Sequence, residues 1–191
     1  MIDSLYEPFK KWSEKGSVYI ISDTHFEDED CSLMDVAWPS SEEQVNLINN
    51  LVHKNDTLIH LGDVGNPDYI AKLKAGHKVL IMGNHDKGRT VYEPYFDEVY
   101  EGPLMISPHI MLSHEPCGSP FWCNFHGHCH DSIFKYFDEE GGYNFAANII
   151  DYTPISLGTL IKKGFIKHFT CKDIHRTTID YTIERKQKKN D

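Results

Sequence analysis

Lys78-Val79-Leu80-Ile81-Met82-Gly83-Asn84-His85-Asp86 is an apolar run that ends in a glycine turn and three polar side chains. Read as a strand, Lys78 to Met82 is a stiff platform, and the loop at such a tip is where chemistry is usually placed. Asn84, His85 and Asp86 then offer, in order, a metal ligand, an acid/base group and a residue to orient it. Taken alone the stretch is equally an ordinary turn, since Asn and Asp commonly follow Gly in turns.

Four further stretches share the design. Val18 to Ile21 is apolar without alternation, as in a strand buried on both faces, and runs into Ser22-Asp23-Thr24-His25. Thr57 to Leu61 ends at Gly62-Asp63, Ile110 to Leu112 at Ser113-His114, and Asn124 to His126 at Gly127-His128-Cys129-His130. Between the first three strands, helices are expected from Ser41, with Ser41 as cap and Val45, Ile48, Leu51 and Val52 as buried stripe, and from Pro67 to a stop at Gly76. Strand, helix, strand, helix, strand is the α/β pattern, and in such sheets ligands collect at the carboxyl ends of the strands.

The flanks are plainer. Leu5, Phe9 and Trp12 share a helical face, and Phe26 to Ser40 reads as a surface loop. Glu98 to Tyr100 and Leu104 to Ile106 are short strands, and Tyr143 to Ile150 is a later one. Ser156 caps a last core helix over Leu157, Leu160 and Ile161. Phe165 to Phe169 reads as strand, Asp173 onward as helix, and Lys186 to Asp191 as a solvated tail.

Two carboxylates, an amide and several imidazoles at strand ends form a mixed nitrogen and oxygen donor set. Such a set suits Mn²⁺, Fe or Zn²⁺ better than the all-oxygen cage of Ca²⁺. The motifs DxH, GD, GNH[DE], H and GHxH, in this order over residues 23 to 130, resemble those of the calcineurin-like metallophosphoesterase superfamily, in the spacing of its small single-domain bacterial and phage-type members.

That resemblance implies an α/β fold, a four-layer αββα sandwich of two mixed β-sheets flanked by helices. It implies one ion held by Asp23, His25, Asp63 and His130, and a second held by Asp63, Asn84, His114 and His128, with Asp63 bridging. The cofactors would be two divalent metal ions, Mn²⁺ first, with Fe, Zn²⁺, Ni²⁺ or Co²⁺ as alternatives. A metal-bridging hydroxide would attack phosphorus in line, His85 would protonate the leaving oxygen and Asp86 would orient the His85 ring. Asp86 reads equally as a turn residue. Val64-Gly65-Asn66 lacks the Asp-Arg-Gly extension of the Ser/Thr protein phosphatases, and Asn-His-Asp stands where they carry Asn-His-Glu. The expected activity is hydrolysis of a phosphoester, a diester ahead of a monoester. The alternatives are a protein-binding scaffold, against which the presence of His85 speaks, and a nuclease.

Composition bounds these readings. The 191 residues fit one domain, with the motif-bearing core at about 17–164 and an extension at 165–191. A formal net charge of −10 repels polyanions at long range, so a small phosphoester is the expected partner rather than nucleic acid. No apolar run is long enough to cross a bilayer and Met1-Ile2-Asp3-Ser4 lacks a signal-peptide plan, so a cytoplasmic chain is expected. The five cysteines read as reduced thiols; Cys117, Cys123 and Cys129 beside His126, His128 and His130 offer a weaker structural-zinc reading. His60, His109 and His126 read as satisfied core or surface histidines, Arg89 as a solvated or phosphate-touching side chain, and Trp38, Phe121 and Trp122 as loop packing or a stacking surface.

Overall fold

Three apolar runs form the parallel heart of the first sheet: β1 (Val18–Ile21), β2 (Thr57–His60) and β3 (His77–Ile81). In register, Ile20 lies beside Ile59 and Ile59 beside Val79. Strand β4 (Glu98–Tyr100) continues the sheet in parallel beyond β3. The second sheet holds β5 (Leu104–Ser107), β6 (Ile110–Leu112), β7 (Cys123–His126) and β8 (Gly142–Asn144); β5 is antiparallel to β6, and the rest are parallel. A last short strand, β9 (Ile155–Ser156), returns to the first sheet antiparallel to β1, which gives the orders β4-β3-β2-β1-β9 and β5-β6-β7-β8. The computed structural model describes residues 1–118, 122–131 and 142–166, with Ile183 and Gln187.

Strand alternation sorts the core into two layers. Ile20, Ile59, Val79 and Ile81 join Ile106, Ile110, Leu112, Phe125, Tyr143 and Phe145 in one cluster between the sheets. Ile21, Leu58 and Leu80 point the other way, into a cluster with Val45, Ile48 and Val52 of helix α2 (Ser41–Leu51). Helices therefore cover the outer face of the first sheet. Helix α3 (Leu157–Lys162) and the N-terminal segment add Leu157, Leu160, Leu5, Phe9 and Trp12 to the inter-sheet core. Two mixed sheets with flanking helices are the expected architecture. Among the described residues, no helix is long and apolar enough to cross a membrane.

Several elements differ from the sequence expectation for local reasons. Glu7–Ser13 and Pro67–Lys72 are 3₁₀ rather than α, since each is short and opens on a proline. The cap of α2 is Ser40, not Ser41: Ser40 is extended, its Oγ accepts from Glu43 N–H, and the Glu43 carboxylate accepts from Ser40 N–H at 2.9 Å. That is a capping box with Glu43 three residues on. The run 26–40 contains one helical turn, α1 (Cys31–Met34). Tyr143 to Ile150 is not one strand: the Asn144 side chain accepts from Ala146 N–H at 3.0 Å, which ends β8 and starts a 3₁₀ turn at Ala147–Ile150. The cap of α3 is Ser156, as expected. The strand beyond Ile166 and the helix from Asp173 lie outside the described residues.

Glu98 ties three of these elements together. Its carboxylate accepts from Trp12 Nε1 at 2.9 Å, His77 Nε2 at 2.7 Å and Tyr100 OH at 2.6 Å, and Lys11 Nζ stands 2.9 Å away. Burial would raise this carboxyl, yet the four donors bring it down to about 2.

The sheets meet where β1 leaves its own. Ser22 N–H donates to Phe145 O and Ala147 N–H to Ser22 O, both at 2.9 Å, so the end of β1 pairs with the chain beyond β8. This junction brings the loops after β1, β2 and β3 up to those after β6 and β7.

Candidate metal centre

At the carboxyl ends of β1, β2, β3, β6 and β7, polar loops converge from both sheets. The backbone is bent sharply there. Asp23 (φ 56°), His25 (φ 44°), Asp63 (φ 55°) and His128 (φ 65°) all adopt the left-handed conformation. Left-handed backbone costs non-glycine residues roughly 1–3 kcal/mol and collects at functional sites. Glycine is required where backbones close on the acids: a Cβ on Gly127 would fall on Asp23 Oδ2 and Ser22 Oγ, and one on Gly83 would fall on Asp63 Oδ1.

Among the described residues three groups of donors have their atoms within 4.8 Å of one another: Asp23, His25 and His130; Asp63, His114 and His128; and His25, Asp28 and Cys31, which shares His25 with the first. In the first, His130 Nε2 lies 3.4 Å from Asp23 Oδ1 and the His25 and His130 ring centroids are 5.3 Å apart. In the second, Asn84 Oδ1 stands 2.8 Å from His114 Nε2 and 3.0 Å from His128 Nδ1, which are 3.2 Å from each other. Asp63 lies between these two groups: its Oδ2 is 3.3 Å from His114 Nε2 and 3.8 Å from His25 Nε2, and its Oδ1 accepts from His85 N–H at 2.9 Å.

The far nitrogens of these rings are tied down. His114 Nδ1–H donates to Leu61 O at 2.8 Å, His25 Nδ1 meets Asp28 Oδ2 at 3.2 Å, and His130 Nδ1 meets Asn148 Oδ1 at 3.0 Å while Asn148 Nδ2 donates back to His130 O. This arrangement fixes the tautomer so that each Nε2 turns its lone pair inward, as ligating histidines require. His25 Nε2 is buried and has no hydrogen-bond partner. An orphaned ring nitrogen facing a buried carboxylate is what a site shaped for a cation looks like with protein atoms alone. The residues therefore fit a divalent metal with mixed nitrogen and oxygen ligands.

The electrostatics agree. Burial would raise the Asp63 carboxyl, but the His114 bond and charge and the His85 N–H hold it down at about 2. Burial would lower His114, but Asp63 and Asp23 carry it up to about 9. Against the same cost of burial, His130 and His114 keep Asp23 below the usual carboxylate range, and Asp23 raises His130. Two fully buried or nearly buried carboxylates thus stay ionised beside imidazoles that ligate when neutral.

His85 is exposed above this centre, its ring centroid 6.0 Å from that of His25. Asp86 lies differently from what its position beside His85 suggests. Its Oδ2 accepts from Gly83 N–H at 2.8 Å and Asp63 N–H at 3.0 Å, and its Oδ1 from Val64 N–H at 2.9 Å. The side chain clamps the Gly62-Asp63 loop onto the Gly83 turn instead of holding the His85 ring.

The remaining candidates have structural partners. His60 is fully buried between Thr24 Oγ1 and the Gly62 N–H, and burial lowers it to about 4, so it is a neutral link between loops. Arg89 pairs with Glu93 on the surface. Trp38 packs its indole near the rings of His25 (6.1 Å), His130 (5.8 Å) and Tyr152 (5.4 Å). His126 is buried in β7, His109 and Trp122 are half-buried, and Phe121 lies outside the described residues. Among the described residues, no group able to hold a metal includes Cys117, Cys123 or Cys129. Asp28 and Asn148 were not read from sequence as part of the site. An acid three residues after His25 is a weak local signal for the first, and nothing local marks the second.

The calcineurin-like phosphoesterase family model matches residues 16–186. A protein of unknown function from Aquifex aeolicus, known as a crystal structure, is 26% identical with a TM-score of 0.61, over 76% of this chain and 98% of that one. The crystal structure of the Pseudomonas putida nuclease MPE is 22% identical with a TM-score of 0.43, over 58% of this chain and 60% of that one. No curated protein matches the chain.

Proposed function

The chain belongs to the calcineurin-like phosphoesterase family, and on that premise we propose that it is a binuclear-metal phosphodiesterase acting on a small substrate. Asp23, His25, Asp63 and His130 would hold one divalent ion, and Asp63, Asn84, His114 and His128 the other. The observation that carries this is the placement of Asp63 Oδ2, which faces one imidazole from each donor group at 3.8 and 3.3 Å. The mixed donor set favours Mn²⁺, with Fe, Zn²⁺, Ni²⁺ or Co²⁺ as alternatives. When bound, such a pair of ions supplies a nucleophile at neutral pH and neutralises charge on the phosphoryl oxygens.

The protein's part is to place and to protonate. The αL loops and the Asp86 clamp fix the ligand carboxylates before substrate arrives, so little reorganisation is left for the transition state. His85, exposed over the centre and free of the clamp, donates a proton to the leaving oxygen. Two cavities support a diester: one of about 370 Å³ reached past Asn84 and His114, and one of about 590 Å³ beside His25. A diester has two arms to seat, one on each side of the centre.

Protein supplied with Mn²⁺ is expected to hydrolyse bis-p-nitrophenyl phosphate and to lose that activity in EDTA. His85→Ala is expected to keep its metal content and lose about 10²–10⁴-fold in rate on alkyl leaving groups. Absence of turnover with each of Mn²⁺, Ni²⁺, Co²⁺ and Zn²⁺ contradicts the enzyme reading.

A further inference from the structure

We infer that the cavity beside His25 is a subsite for an ammonium-bearing arm of the substrate, an inference that rests on the phosphodiesterase reading above. The cavity holds about 590 Å³, enough for one small substituent, and His25 belongs both to its wall and to the first donor group. A phosphorus at the metal centre therefore places one ester arm at its mouth.

The wall is made of groups that attract a cation. Glu27, Asp28 and Glu29 contribute three consecutive carboxylates, and among the described residues no Lys or Arg lines the cavity. The Glu27 carboxylate is held in place by hydrogen bonds from Asn66 Nδ2 at 2.6 Å and Tyr69 OH at 2.7 Å. Trp38 supplies an aromatic side, and its orientation is fixed by its packing on Tyr152, whose OH donates to Asp35 at 3.0 Å. A cation over an indole face is favoured, more so where water is partly excluded.

Gln44 is an independent pointer. It is 1% exposed and lines the same cavity. Its Nε2 donates to Thr24 O at 3.1 Å and Pro39 O at 3.5 Å, which settles the amide orientation and leaves Oε1 as a buried acceptor without a protein donor. Buried acceptors are rarely left unmet. The cavity thus offers carboxylates, an aromatic face and a waiting acceptor. A protonated primary amine, with one positive charge and three N–H donors, answers all of them. A neutral alkyl arm packs on the indole but leaves the carboxylates and the acceptor unanswered, and an anionic arm is repelled.

The test uses two isosteric probes, O-phosphorylethanolamine and n-propyl phosphate, in which an ammonium replaces a methyl. Binding is measured by calorimetry at physiological ionic strength, with and without Mn²⁺, on the whole protein and on Glu27→Gln and Trp38→Leu. The expected result is binding of the ammonium probe tighter by about tenfold, with most of that ratio lost in both variants. Equal affinities in the unsubstituted protein overturn the subsite, as does a preference that survives both substitutions, which would belong to the overall negative field. Because the readout is binding, it stands apart from bis-p-nitrophenyl phosphate turnover. A preference without turnover removes the phosphodiesterase reading and keeps the subsite, and turnover without a preference does the reverse.

Discussion

Asp86 is the residue whose meaning changes most between sequence and structure. Beside His85 it invites the role of ring orienter, yet its oxygens accept from the backbone of Gly83, Asp63 and Val64. The two roles predict different phenotypes. As a clamp, Asp86→Asn leaves at least one buried N–H facing an amide that cannot accept, so stability falls by about 1–3 kcal/mol and metal affinity falls with it. The pH–rate profile of the remaining active fraction stays where it was. A shifted alkaline limb, the one a general acid sets, with unchanged stability in urea would show that Asp86 acts on His85 instead. The proposed ligand residues were legible because each motif puts its side chain directly after an apolar strand. Asp28 and Asn148 were not, because they touch the far nitrogens of His25 and His130. Asn148 reaches across 18 residues to do so, and such a partnership leaves no pattern in sequence.

At the scale of elements, strands were easier to read than helices. An unbroken apolar run such as Val18 to Ile21 has one stable destination, the interior of a parallel sheet. Short segments with apolar residues three or four apart fit α and 3₁₀ helices alike, and at Pro8 and Pro67 the tighter turn prevails. The apolar run after Tyr143 hid a turn that only Asn144 signals. Glu98 shows how such elements are joined, and it carries a pH signature. Its carboxyl sits at about 2 in the fold against 4.5 when unperturbed. A depressed folded value means the stabilisation is fully present above pH 4.5 and is lost as the pH falls toward 2. The difference corresponds to on the order of 3 kcal/mol. Glu98→Gln is expected to lower urea stability by about that amount at pH 7, and the gap to the unsubstituted protein is expected to close between pH 4.5 and 2. A gap that stays constant over that window would mean the four donors do not depend on the charge.

At the scale of the molecule, two sheets that share one core also share one edge, and the site is built along it. The first sheet contributes Asp23, His25, Asp63 and Asn84, the second His114, His128 and His130, and the pairing of Ser22 with the chain after β8 sets the two halves in register. A formal charge of −10 surrounds this centre, and two divalent ions would reverse its sign locally, which lets an anionic ester approach a protein that otherwise repels it. That account places Asp63 between the ions, and the metal content per chain tests it most directly. Elemental analysis after reconstitution and removal of excess metal is expected to give two divalent ions for the unsubstituted protein, one for His130→Ala, and fewer than one for Asp63→Asn. One ion in the unsubstituted protein, or two retained in Asp63→Asn, would contradict a centre built around Asp63.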